Sequence, residues 1–146
     1  MNKWDKIDKD VSTINKFTEE LKLKLSFMDY FVPVFTSAVT GKRLLEVIEK
    51  VDYVYQNTTR RIPTGALNEL LSSAILSNEP PYRNGRKLKI QYITQAQVAP
   101  PTFVLFCNDQ SLMHFSYLRY LENRFRDAVD FKGTPIKFIT RSRNEE

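Results

Sequence analysis

Two short polar strings carry the residue types best suited to hold a small planar ligand. They are Asn2-Lys3-Trp4-Asp5 and Ser37-Ala38-Val39-Thr40-Gly41-Lys42. An aspartate accepts two hydrogen bonds at once, and small residues such as serine and alanine let a backbone N–H approach a ligand closely. This is recognition chemistry and not bond-making chemistry. The other reactive types are sparse: one cysteine, Cys107, excludes an internal disulfide framework, and one histidine, His114, leaves a His/Cys metal site almost without ligands. His114 reads as a packing or hydrogen-bonding residue at a helix start and Cys107 as a small core residue. The pairs Glu19-Glu20 and Glu145-Glu146 read as solvated charge. No catalytic residue and no metal site are expected.

The first string matches the N-K-x-D element of G proteins and the second their later S-A-x-T-G-x element. On that resemblance Asp5 binds the N1–H and 2-amino group of guanine together, a donor pair that adenine lacks. Asn2 braces the two loops beside the base, the stem of Lys3 covers one ring face, and the Ala38 N–H donates to the guanine O6. Asn2, Lys3, Asp5, Ser37 and Ala38 are thus the expected guanine-binding set. Hydrolysis of GTP needs more: a phosphate-cradling loop, a Mg²⁺ site and a water-orienting switch. The only Gly-Lys pair, Gly41-Lys42, is followed by Arg43 where Ser or Thr is needed, and Thr36 stands where the first glycine should be. Asp130-Phe131-Lys132-Gly133 has the D-x-x-G form of a switch, but it follows the N-K-x-D string instead of preceding it. The chain by itself is therefore expected to bind neither the terminal phosphates nor Mg²⁺, and to hydrolyse no GTP.

Charge divides the chain. Up to Gln56 there are nine basic and nine acidic side chains, and beyond it thirteen basic and eight acidic, so the whole net charge of +5 lies in the second part. Nine of those thirteen cations are arginines, whose planar donor fork suits phosphates and base edges. The RNA-binding candidates are Arg60, Arg61, Arg83, Arg86, Lys87, Lys89, Arg119, Arg124 and Arg126, with Arg141 and Arg143 near the end. Tyr117 and Tyr120, among the helix arginines, are candidates for stacking on bases. A solvated basic surface is the competing reading of the same residues.

Hydropathy patterning supplies the elements that must position these groups. Ile14, Phe17, Leu21 and Leu25 mark an amphipathic helix capped near Asp10 or Ser12. Residues 30–35 read as a buried strand, and Leu44, Leu45, Ile48, Val51 and Val54 as a second helical stripe. Residues 56–63 read as a linker. Thr64 caps a third helix, carrying Ala66, Leu67, Leu70, Leu71, Ala74 and Ile75 and ended by Pro80-Pro81. Asn84-Gly85 is a turn signal. A period of two then places Leu88, Ile90, Tyr92, Thr94, Ala96 and Val98 on one strand face, and Lys87, Lys89, Gln91, Ile93, Gln95 and Gln97 on the other. Residues 103–107 form a buried partner strand. Asn108 or Asp109 caps a helix carrying Leu112, Phe115, Leu118, Leu121, Phe125 and Ala128, and residues 136–141 are a last strand, with a frayed tail over 142–146.

Several strings in the second part resemble the C-terminal domain of the Der (EngA) GTPase family. They include Thr58-Thr59-Arg60-Arg61-Ile62-Pro63-Thr64-Gly65-Ala66-Leu67-Asn68, Gln95-Ala96-Gln97-Val98-Ala99-Pro100-Pro101-Thr102-Phe103 and Tyr117-Leu118-Arg119-Tyr120-Leu121-Glu122-Asn123. Pro80-Pro81, Lys87 to Ile90 with Tyr92, and Phe131-Lys132-Gly133-Thr134-Pro135-Ile136 are also similar. The resemblance implies an α/β segment from the end of a second G domain over 1–56. It implies an α+β KH-like domain over 57–146, a three-stranded sheet with packed helices. It further implies GTP or GDP as ligand of the parent protein, and large-ribosomal-subunit assembly as its setting. The partners it implies are the large ribosomal subunit, rRNA and the upstream G domains, in the cytoplasm, with no membrane and no DNA. The G-x-x-G clamp of standard KH domains is missing, since no two of the four glycines are three apart. Two other readings stay open: a stand-alone RNA- or ribosome-binding module, and a KH-like domain that mainly docks on protein. On the G-domain reading, the run over 30–35 lacks sheet neighbours, so the first part is expected to be unstable or self-associating while the second folds alone.

Overall fold

A computed structural model describes residues 1–7, 12–83 and 85–142. Asp10, Asn84, Arg143 and the Glu145-Glu146 pair lie outside the described residues. The chain divides into two compact units. One comprises Met1–Asn57 with Lys132–Thr134, and the other Thr58–Phe131 with Pro135–Glu146.

In the first unit, α1 (Thr13–Lys24) and α2 (Leu44–Thr59) are the amphipathic helices read from the sequence. Ser12 occupies the N-cap position of α1 but makes no side-chain capping bond. α2 continues to Thr59, which shortens the expected linker to the four residues before α3. Residues 30–35 do not form a strand. At the end of the run the Met1 amine donates to the Val34 carbonyl at 2.7 Å and the Thr36 N–H to the Met1 carbonyl at 2.8 Å. At its start the Tyr30 carbonyl accepts from the Gly133 N–H and the Phe31 N–H donates back to the Met28 carbonyl, which is no continuous ladder. A run of strand-forming residues becomes a strand only where a neighbour takes up its N–H and C=O groups along its length.

The second unit is α+β, in the expected order helix, strand, strand, helix, strand. α3 (Thr64–Ser77) is followed by a tight hairpin, β1 (Tyr82–Arg83) and β2 (Arg86–Lys87), with Gly85 at φ 71 in its turn. β3 (Ile90–Gln97) pairs antiparallel with β4 (Thr102–Cys107), and β4 pairs parallel with β5 (Lys137–Ser142). α4 (Phe115–Ala128) crosses back between β4 and β5. Leu67, Leu71 and Ala74 of α3, Tyr117, Leu121 and Phe125 of α4, and Ile93, Phe103, Leu105 and Cys107 of the sheet form one buried cluster. Phe103 sits at its centre, with Phe125, Phe131 and Phe138 rings 5.4–6.0 Å away.

Thr64 is the first residue of α3 and not its cap, since the N-cap position is Pro63 and no side chain caps the helix. Two further details differ from the sequence reading. The register shifts between Ile90 and Tyr92, so Gln91 is an extra residue on β3. This bulge flips the alternation: Ile93 and Gln95 turn to the core, whereas Tyr92 is 42% exposed on the open face. Leu88 and Ile93 are both buried although simple alternation puts them on opposite faces. The second difference concerns the start of α4. Asp109 caps a separate 3₁₀ turn, Gln110–Leu112, and α4 begins only at Phe115, capped by His114. Phe115 consequently faces solvent.

Candidate functional site

The loop pair of the first unit is anchored by Trp4. Its ring is 2% exposed and packs edge-on to Phe17 (5.5 Å) and against Phe35 (4.5 Å). The Trp4 backbone N–H donates to the Thr36 carbonyl at 3.0 Å. Lys3 takes the left-handed conformation, φ 65, and the chain then enters the 3₁₀ turn Trp4–Lys6. Burying Trp4 between two exposed neighbours in this tight bend leaves Asn2, Lys3 and Asp5 at the surface.

There the two polar strings join. The Asn2 side-chain oxygen accepts from the N–H groups of Lys3 (2.7 Å) and Ala38 (3.1 Å). The Ser37 hydroxyl, fully buried, donates to the Asp5 carboxylate at 2.5 Å and accepts from the Thr40 N–H at 3.3 Å. Ser37 and Lys42 close the second loop as an antiparallel bridge, with Gly41 at φ 69 in the turn. Asn2 therefore braces the loops as expected. The Ala38 N–H is engaged by this Asn2 oxygen. Trp4, the variable position of its string, has no role in the sequence reading. Its signal was available, because the only tryptophan in the chain stood within reach of an aromatic on the helix and another on the 30–35 run.

The cations of the second unit are less available than their number suggests. Arg86 is ion-paired with Asp109 at 2.9 Å, Lys87 with Glu79 at 2.5 Å, and Arg83 donates to the Ser111 carbonyl at 3.0 Å. The Lys87 ammonium holds Glu79 below the usual carboxylate range, and the same hydrogen bond raises Lys87. The Ser111 hydroxyl and N–H, with a smaller contribution from Arg86, lower Asp109. Of that group Arg83 and Lys89 make no ion pair among the described residues, and Lys89 is exposed. Arg126 binds Glu122 and the Phe131 carbonyl, both at 3.3 Å. Arg124 is half-buried, and its Nε is buried without a hydrogen-bond partner. Arg60, Arg61, Arg119 and Arg141 are exposed. The Gln95 side chain, buried at the start of the unit, accepts from the Ile62 N–H and donates to the Arg60 carbonyl, both at 2.8 Å. Arg60 and Arg61 thus leave from a held backbone.

Tyr117 is not available for stacking, and Tyr120 is half-buried. Tyr117 is buried and donates to the Asn78 carbonyl at 2.7 Å, and Tyr120 donates to the Ala74 carbonyl at 2.7 Å. They satisfy carbonyls at the C-terminal end of α3, which has no glycine cap. Burial, with Tyr120 and Glu79 nearby, pushes the Tyr117 phenol up to about 12. His114 accepts from the Ser116 N–H as the α4 cap, and burial raises the Cys107 thiol. Among the described residues no cluster of His, Cys, Asp or Glu could hold a metal ion, and no helix is long and apolar enough to cross a membrane.

Comparison with known proteins bears on both units. Residues 61–141 match the family model described as the KH-domain-like domain of EngA bacterial GTPase enzymes, C-terminal. The chain is similar to proteins named GTPase Der along nearly its whole length. It is 52% identical to that of Alkaliphilus oremlandii over 143 residues, which is 98% of this chain and 32% of the relative. It is 50% identical to that of Agathobacter rectalis over 145 residues, and 51% identical to that of Lachnospira eligens over 146. These alignments cover 99% and 100% of this chain and 33% of each relative. The chain spans about a third of the length of the curated relatives it matches.

Proposed function

The chain belongs to the family of KH-like C-terminal domains of EngA bacterial GTPases, and from that premise we propose that it is the C-terminal portion of a GTP-binding protein that acts in assembly of the large ribosomal subunit. On this reading residues 1–56 are the end of a second G domain and supply guanine selectivity. Residues 57–146 are the KH-like domain that faces the ribosome and its RNA. The observation that carries the first half is the hydrogen-bonded union of Asn2, Asp5, Ser37 and Ala38, residues drawn from two loops 32 positions apart. The Asp5 carboxylate, oriented by Ser37, is the acceptor pair for N1–H and the 2-amino group. Lys3 is the exposed side chain beside it.

GTP and GDP are ligands of the parent protein. In this chain the base-selecting half stands without a phosphate loop, so base contacts alone hold a nucleotide only weakly. Addition of millimolar guanosine to labelled protein should shift the amide resonances of residues 2–5 and 37–38, with adenosine leaving them in place. Equal shifts with both nucleosides would remove guanine from the proposal. Micromolar GDP binding in a calorimeter, or GTP turnover by the purified chain, would contradict the assignment of phosphate binding to other segments.

For the KH-like unit, the engaged state of Arg83, Arg86 and Lys87 moves the RNA-facing assignment toward the exposed Arg61, Lys89 and Arg119. Truncating Arg61 and Arg119 together should weaken co-sedimentation with large subunits and flatten its salt dependence. Truncating Arg86 should do so less. A second reading, a KH-like unit whose contacts are mainly protein, draws support from the exposed apolar side chains Leu76, Phe115 and Ile139.

A further inference from the structure

The face of the three-stranded sheet opposite α3 and α4 is open along its edge strands β3 and β5, while Val104 and Thr102 of the central strand are buried, and it has a distinct chemical make-up. Tyr92, Phe106 and Arg141 stand in one row across β3, β4 and β5, because Tyr92 pairs with Phe106 and Phe106 with Arg141. The next row holds Thr94, Val104 and Ile139, and beyond it Thr102 stands beside Lys137. The Tyr92 and Phe106 rings are stacked, with centroids 4.4 Å apart and planes 14° from parallel. Tyr92 and Ile139 remain 42% and 43% exposed, and Lys137 and Arg141 are exposed. None of the three strands contains an aspartate or glutamate. Lys137 and Arg141 make no ion pair among the described residues, unlike the partnered cations of the hairpin.

Resting on the RNA-facing reading of this unit, we propose that this open face binds single-stranded RNA, with one base continuing the Tyr92–Phe106 stack and Arg141 and Lys137 holding the flanking phosphates. Two features favour a polyanion carrying exposed bases over a protein segment. The face has cations at its rim and no anion within its strands, which is complementary to a phosphate backbone. Its apolar centre is a pair of parallel rings, the geometry that accepts any base by stacking. A duplex, whose bases are already stacked on each other, offers no free base to Tyr92. The bulge at Gln91 is what creates the platform. Were the register unbroken from Ile90, Gln91 would stand opposite Phe106, Tyr92 would turn to the core and Ile93 to solvent.

The test uses the full chain and a short single-stranded RNA carrying 2-aminopurine, whose fluorescence falls when it stacks. Binding with quenching is expected, with little binding of a duplex of the same length. Tyr92→Ala should weaken binding about tenfold and abolish the quenching, while Tyr92→Phe keeps both. Arg141→Ala should weaken binding and lower the salt dependence. Circular dichroism of each variant checks that the sheet is intact. If the RNA binds but Tyr92→Ala and Arg141→Ala change its affinity less than twofold, this site is wrong and the RNA-facing reading survives. If neither this RNA nor large subunits bind, both fail. If Tyr92→Ala instead abolishes self-association in the ultracentrifuge and leaves RNA affinity unchanged, the face is a protein interface and the proposal is overturned.

Discussion

The two units bury their apolar side chains very differently. In the second, residues from α3, α4 and all three sheet strands close around Phe103 in a continuous cluster. In the first, Trp4 and Phe35 are the only large apolar side chains among the described residues that are fully buried. The stripe on α2 is present but largely uncovered: Leu45, Ile48 and Val51, with Tyr55 beside them, are each at least 64% exposed, as are Leu23 of α1 and Phe27 beyond it. Amphipathic periodicity states which face of a helix seeks cover and does not supply the cover. The part of the first unit that is well ordered by contacts is the small hydrogen-bonded knot around Trp4, where the candidate guanine site lies.

Hydrogen exchange would break or sharpen this contrast most directly. Amides of β4 should exchange only by global unfolding, whereas those of α1 and α2 should exchange about a thousandfold faster or more, through local opening. Uniform high protection across residues 12–56 of a monomer would sink the comparison. The next largest effect is expected from Phe103→Ala. Removing the ring at the centre of the aromatic cluster should cost about 3–5 kcal/mol in urea unfolding of the second unit. A loss below about 1 kcal/mol would mean that the cluster tolerates a cavity which its packing forbids.

Asn68→Ala probes an edge instead of a core. The Asn68 amide donates to the Ile93 carbonyl and accepts from the Ile93 N–H, both at 3.0 Å, and so completes the outer edge of β3 as a strand would. Truncation leaves both backbone groups without that partner and should cost about 1–3 kcal/mol. It should also raise self-association through the freed edge, which light scattering would report. Unchanged stability would show that water replaces the amide fully.

What the sequence made legible follows from how local each signal is. The α3 stripe and the β4 run were readable because helix and strand periods act over a few neighbouring residues. The joining of the two polar strings was readable because Asn2, Asp5 and Ser37 are hydrogen-bonding types, and the structure links them through Ser37 to Asp5 and Ala38 to Asn2. The β3 face assignment failed at a single inserted residue, since a bulge reverses every later side chain. The start of α4 was misplaced because Asp109 is an equally good cap and serves the shorter 3₁₀ turn. The hairpin cations looked free because their partners are distant in the chain: Asp109 lies 23 residues from Arg86. The tyrosines of α4 looked like stacking residues because the carbonyls they serve belong to α3, 39 and 46 positions away.

Tyr117→Phe should have the smallest effect and tests whether those tyrosines belong to the core. The substitution keeps the ring in the cluster and deletes only the bond to the Asn78 carbonyl, at a cost of about 1 kcal/mol at neutral pH. Its pH dependence is the sharper measure. The folded phenol titrates at about 12, above its ordinary value near 10, because burial disfavours the phenolate. A raised folded pKa means that the folded state holds the proton more tightly than the unfolded chain. The associated stability is complete below about pH 10 and is lost as the pH climbs toward 12. The wild-type chain should therefore lose stability across that window more steeply than Tyr117→Phe, so the two unfolding curves converge as the pH rises. If they stay parallel, the phenol ionises equally well in both states. Tyr117 would then be open to solvent, and the stacking role that its burial denies it would return.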